Sequence, residues 1–166
     1  MTEESPLPKL TARPKAKRIV GIDYGLARIG LSVSDESKTI AHSLKTLQAE
    51  KKTLATAHKL VAELTQHALL YHYEIEEIVI GMPLMMNGTK GMLADEVIHF
   101  ISLLKEIFPV PVATWDERLS SVQADRSLRE GNFSRKKRSK MVDSVAAIII
   151  LQNYLDHKKL IQQQMN

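Results

Sequence analysis

The stretch KRIVGIDYGLARIGLSVSD, Lys17 to Asp35, sets an acid, Asp23, inside an otherwise apolar, β-branched run and close to a glycine. Ile19 to Asp23 reads as a strand. After the turn residues Tyr24 to Ala27, Arg28 to Val33 alternates Ile29, Leu31 and Val33 in the manner of a hairpin partner. Successive side chains leave a strand on opposite faces, so Ile19, Gly21 and Asp23 share one face and Val20, Ile22 and Tyr24 the other. A buried, unpaired carboxylate costs several kcal/mol, a cost that a bound cation offsets. The competing local reading is an Asp that caps the turn through its own backbone.

A dinucleotide fingerprint does not fit, because the glycines stand at 21, 25 and 30 and a strand follows them where a helix is required. At 166 residues with 44% hydrophobic content the chain suits one domain, which leaves no room for the second lobe of an ATP-binding hairpin protein. It has no cysteine, so disulfide frameworks and thiolate zinc sites are excluded. His67 and His72 lie five apart, off the spacing that pairs ligands on a helix face. The N-terminal MTEESPLPKLTARPKAK is polar and proline-punctuated and reads as a flexible lead-in over residues 1–17. The expected domain is 18–157, with a C-terminal tail at 158–166. No apolar run approaches ~20 residues, so a cytoplasmic protein that crosses no membrane is expected.

Further along, Thr39 to Leu47 is a weaker third strand. From Lys52 to Tyr73 the apolar residues Leu54, Ala57, Leu60, Val61, Leu64, Ala68 and Leu69 follow helical spacing. Glu76 to Gly81 predicts a strand, Pro83 and Gly88 a loop, Gly91 to Phe108 a helix, and Val110 to Trp115 another strand. Arg118 to Glu130 predicts a helix stopped by Gly131, and Ser134 caps a last helix running through Asp156. This order, an antiparallel start and then alternating strands and helices, predicts an α/β fold: a mixed five-stranded sheet with helices on both faces.

A hard divalent cation takes oxygen ligands from more than one element, and two further places supply them. The strand ending at Trp115 runs into Asp116-Glu117-Arg118, at the carboxyl end where open α/β sheets place their ligand sites. Adjacent acids point in different directions, so one of the pair faces such a site; capping the next helix is the alternative role for Asp116. Asp143 is a lone acid on a helix that is apolar almost all round from Val142 to Leu151. Small Ala146 and Ala147 allow that helix to approach the sheet, although pairing with Lys140 on an exposed turn also accounts for the acid. Just upstream, SRKKRSK holds five basic residues and no acid, within reach of phosphates if Asp143 holds a metal. The net charge of +4 permits a polyanionic partner without demanding one.

Four blocks, GIDYGLARIGLSVSD, VIGMPLMMNGTKGMLADEV, WDERLSSVQADRSLRE and SRKKRSKMVDSVAAIIILQNYLD, together resemble the YqgF/RuvX family, whose members carry the names Holliday junction resolvase and pre-16S rRNA nuclease. The resemblance implies an RNase H-like fold and an acidic site that falls on Asp23, on Asp116 or Glu117, and on Asp143. Relatives of the RuvC type carry an acid at the end of the fourth strand, where this chain has Gly81-Met82-Pro83. The second carboxylate is therefore expected from the Asp116-Glu117 pair. Met85 stands where the family often has Asn, and Ser120 and Ser121 where it often has paired Thr.

The expected activity is metal-assisted phosphodiester hydrolysis, with Asp23, Glu117 and Asp143 catalytic, and Mg²⁺ or Mn²⁺ held by Asp23, Asp143 and the Asp116-Glu117 pair. Arg28 and Arg118 are candidate phosphate contacts, as are Arg135, Lys136, Lys137 and Arg138, and Asn87 and Thr89 lie in a loop placed to follow a nucleic-acid backbone. Met82, Met85 and Met86 are expected to pack the loop. The expected partner is nucleic acid, structured RNA ahead of branched DNA, and the chain acts as a monomer or a homodimer. The resemblance favours processing of the pre-16S rRNA 5′ end, with Holliday junction resolution or non-catalytic rRNA binding as alternatives.

Overall fold

In a computed structural model the described residues are 12–85, 87–117 and 135–166, of which 135–143 are described by their backbone alone. The expected helix over 118–130, Gly131 and Ser134 lie outside them. Strands β1 (Ala16–Tyr24) and β2 (Arg28–Ser34) form the expected hairpin, with Asp23 opposite Gly30 and Gly21 opposite Ser32. The weak third segment divides into β3 (Ala41–Ser43) and β4 (Leu47–Gln48), both antiparallel to β2: β3 pairs along its far half and β4 at its start. Helix α1 (Thr53–Leu70) stops short of Tyr73, because His72 adopts a left-handed φ of 55° and the chain re-enters the sheet.

Strand β5 (Tyr73–Met82) starts before the expected Glu76 and runs parallel to β1, with Gly21 beside Val79 and Ile22 beside Ile80. Helix α2 (Met92–Ile107) leads to β6 (Val112–Asp116), parallel to β5, with Gly81 beside Trp115 and Met82 beside Asp116. The last helix, α3 (Arg135–Met165), passes well beyond Asp156 because neither glycine nor proline follows to end it. The main path of the sheet is β3-β2-β1-β5-β6, the five strands expected, with β4 added beside β2.

Two cores follow from the strand alternation. Val20, Ile22 and Tyr24 face α1 and α2 with Ile29, Leu31, Val33, Leu60, Leu64, Ile80 and Phe100, while Ile19 and Val79 face α3 at Ile150, Leu151 and Leu155. The second face is built for close approach. A Cβ on Gly21 would stand 2.7 Å from Leu151 Cβ and 3.1 Å from the Ala147 carbonyl, and Ser32 Oγ donates a 2.7 Å hydrogen bond to that carbonyl. Among the described residues no helix is long and apolar enough to cross a membrane.

Candidate active site

The carboxyl ends of β1, β5 and β6 lie side by side. Residues paired in register share a face, so the partnership of Ile22 with Ile80 and of Gly81 with Trp115 puts Asp23, Gly81, Trp115 and Glu117 on the α3 side. Trp115 confirms that side by packing on Tyr154 and His157 of α3, with ring centroids 6.0 and 5.3 Å apart. Asp116 is the register partner of Met82, whose side chain belongs to the α1–α2 core, so it projects to the other face.

Glu117 is held by its own backbone N–H, which donates to the Met82 carbonyl at 3.2 Å. Its side chain lies across Gly81, where a Cβ would come within 2.0 Å of Oε1. Only a glycine leaves that passage open. The Glu117 carboxyl shares a hydrogen bond with Asp23, and its buried Oε1 has no partner. Burial above all, then the charge of Asp23, the hydrogen bond to it, and the charge of Asp116 push the Glu117 carboxyl up to about 8. Two carboxyl groups that share a hydrogen bond must hold a proton between them, and the upward shift of Glu117 is the mark of that shared proton.

Among the described residues no three acidic or histidine side chains cluster as a ready metal cage. The chemistry of Asp23 and Glu117 nevertheless fits a hard cation: the donors are all oxygen, and an orphaned carboxylate oxygen is costly to bury without a positive partner. Position 143 lies on α3 one helical turn before Ala147, which sits over Gly21 and Ser32. Since Leu155 meets Ile19 and Leu151 meets Gly21, α3 runs against β1, and the turn carrying Asp143 continues toward the Asp23 end.

Arg28 opens β2 at the same end of the sheet, just past the turn where Gly25 is needed because its Cβ would stand 2.5 Å from the Arg28 carbonyl oxygen. The loop after β5 is a small hairpin: Leu84 bridges Lys90, Met85 N–H donates to the Thr89 carbonyl at 2.9 Å, and Gly88 takes φ 80°. Asn87 Oδ1 accepts from the Thr89 N–H at 3.0 Å and its hydroxyl at 2.6 Å, which ties the two residues together and shapes the loop. Met82 belongs to the core rather than to the loop, whereas Met85, though 55% exposed, lays its side chain against Gly91 at the end of the loop. Arg118 and Met86 lie outside the described residues, and Arg135, Lys136, Lys137 and Arg138 are placed only as the first turn of α3. The residue missed in the sequence is Gly81, whose signal was a glycine closing an apolar strand with Glu117 shortly after the next one.

A mixed sheet with an antiparallel opening hairpin, helices on both faces and carboxyl groups gathered at its carboxyl end is an RNase H-like fold of the RuvC type. T. thermophilus RuvC in complex with a Holliday junction substrate superposes with a TM-score of 0.51 at 16% identity, over 86% of this chain and 96% of that one. The fowlpox virus Holliday junction resolvase does so at 0.50 and 11% identity, over 84% and 98%. The chain belongs to the RuvX family, described as Holliday junction resolvase, whose model matches residues 17–157. It is 56% identical over 146 residues to a protein of Protochlamydia amoebophila named "Putative pre-16S rRNA nuclease", covering 88% of this chain and 97% of that one. A Thermoanaerobacter pseudethanolicus protein of the same name is 41% identical over 145 residues, with 86% and 98% covered.

Proposed function

We propose that this protein is a divalent-metal-dependent nuclease that hydrolyses a phosphodiester bond in the precursor of 16S rRNA. The observation that carries the reading is the Asp23–Glu117 carboxyl pair, half-buried at the carboxyl end of the sheet with a buried Glu117 Oε1 that has no partner. Asp23 and Glu117, with Asp143 from the turn of α3 that approaches them, would hold Mg²⁺ or Mn²⁺. When bound, such an ion supplies an activated water and stabilises the charge gathering on the phosphate.

The chain's own residues do the rest. Asp23 and Glu117 share a proton while they lack a positive partner, and a bound cation would displace it, leaving both carboxylates charged. Gly81 keeps the passage between the two carboxyls clear, and Trp115 packed on α3 fixes the end of β6 from which Glu117 springs. Arg28 sets a guanidinium fork at the same end of the sheet, suited to phosphate oxygens. The basic run Arg135, Lys136, Lys137 and Arg138 opens the helix that carries Asp143 and adds sequence-independent attraction for the nucleic-acid backbone.

The test is cleavage of a precursor 16S rRNA fragment with Mg²⁺ or Mn²⁺, comparing wild type with Asp23→Asn. Equal cleavage by the two would sink the site assignment. The family's description as a Holliday junction resolvase favours a second substrate, a four-way DNA junction. Competition between the junction and the RNA fragment, together with a measurement of oligomeric state, separates the two readings.

A further inference from the structure

The parallel pairing of β1 with β5 ends at Ile22, opposite Ile80, whereas the antiparallel pairing with β2 continues through Asp23 and Tyr24. Past Ile22 the register of β1 thus continues with β2 alone, through a hairpin whose turn at Leu26 and Ala27 is exposed. A further tether comes from the α1–α2 face. Tyr24 Oη donates to Glu96 Oε1 at 3.1 Å, and Thr53 Oγ1, from the first residue of α1, donates to the same oxygen at 2.7 Å. The Tyr24 ring is meanwhile held against Phe100, with centroids 4.5 Å apart. Glu96 opens the second turn of α2, directly after the loop that follows β5.

We infer that Tyr24 and Glu96 are positioning residues, forming a clasp that fixes the end of β1, and with it Asp23, against the starts of α1 and α2. The inference rests on the nuclease reading for its consequence in catalysis, but the clasp itself is a property of the fold. Catalytic groups must be held to within about 0.5 Å of their working geometry, and a strand end paired on one side does not achieve that alone. Two hydroxyl donors on one carboxylate oxygen form charge-assisted bonds, which are the stronger kind. Because Glu96 belongs to the helix that the β5–α2 loop feeds, the same clasp sets the distance between that loop and Asp23.

Tyr24→Phe removes the hydroxyl and keeps the ring on Phe100; Glu96→Ala removes the acceptor; Glu96→Gln keeps an oxygen that accepts both bonds. Three measurements on the full chain decide the matter: amide hydrogen exchange of the segment 22–28, the affinity for Mn²⁺ alone, and kcat and KM on the RNA fragment. Tyr24→Phe and Glu96→Ala are expected to speed exchange in 22–28 about tenfold, weaken Mn²⁺ binding about fivefold and lower kcat with KM little changed. The double variant should be no worse than Glu96→Ala, and Glu96→Gln should stay close to wild type. A lowered melting temperature with exchange in 22–28 and Mn²⁺ affinity both unchanged would overturn the inference. Should the wild type take up no Mn²⁺ at all, the nuclease reading fails, while the exchange data still decide the clasp.

Discussion

The carboxyl of Glu117 occupies the space that a side chain on Gly81 would fill, a Cβ there falling 2.0 Å from Oε1 and 2.5 Å from Cγ. The glycine of one strand thus gives passage to the acid of the next, and through it Glu117 meets Asp23 two strands away.

Gly81→Ala should expel Glu117 from that passage. Misplacing a catalytic group by about 1 Å costs on the order of 10²-fold in rate, so cleavage should fall by at least that factor. Circular dichroism should show the fold retained, since Glu117 can swing toward solvent. Full activity in Gly81→Ala would show that Glu117 does not work from this position.

The metal-free protein should lose stability as pH rises from about 4.5 to about 8. In that window the unfolded chain has released the Glu117 proton, from an ordinary value of 4.5, while the folded chain still holds it up to about 8. Each step upward in pH therefore favours the unfolded state until the folded group also ionises. Thermal melts in a chelator at pH 5.5 and 8 measure the effect. Glu117→Gln should flatten the dependence, and added Mg²⁺ or Mn²⁺ should restore stability at the higher pH.

Gly21→Ala brings a Cβ to 2.4 Å from Ser32 Oγ and 2.7 Å from Leu151 Cβ, wedging α3 off the sheet. Overpacking of this kind costs about 1–3 kcal/mol, read from denaturant melts. Activity per folded molecule should fall as well, because α3 also carries Asp143.

Glu77 accepts hydrogen bonds from the Tyr154 hydroxyl and from Lys158 Nζ, the latter at 2.7 Å, and so pins the later turns of α3 to β5. Burial first, then the hydrogen bond to Glu77 and its charge, hold the Tyr154 hydroxyl above its ordinary range. Glu77→Ala should cost about 1.5–3 kcal/mol, the range for hydrogen bonds to a charged group. Cleavage at temperatures well below the melt should be unchanged, since Glu77 sits several residues before the carboxyl end of β5.

Lys136→Gln with Lys137→Gln should weaken RNA binding most at low salt. The slope of log affinity against log salt should shrink by about one for each phosphate that the variant no longer neutralises. An unchanged slope would remove this run from the binding surface.

The parts of the fold that were legible in the sequence are those set by local pattern. Ile29, Leu31 and Val33 alternate, and the hairpin forms as that alternation requires. The segment from Thr39 to Leu47 carried a weaker pattern and broke into two short strands. The turn at His72 was not legible, because a left-handed histidine has no compositional mark of the kind glycine provides. Asn87 and Thr89 had the right composition for a polar loop, but that Asn87 Oδ1 takes both the N–H and the hydroxyl of Thr89 was not legible before the loop was folded.

By itself the sequence determined that Asp23 shares a face with Ile19 and Gly21, since side chains alternate along a strand whatever surrounds it. It likewise determined that acids stand at the ends of β1 and β6, and that a small-residue helix stripe at Ala146 and Ala147 accompanies Asp143. Only the tertiary structure decided between Asp116 and Glu117 as the neighbour of Asp23. Which face of β6 turns toward α3 depends on its register with β5, and β5 is joined to β6 through a crossover helix, so no local pattern carries that information. The role of Gly81 was hidden for the same reason: a missing side chain has meaning only once the strand beside it is known.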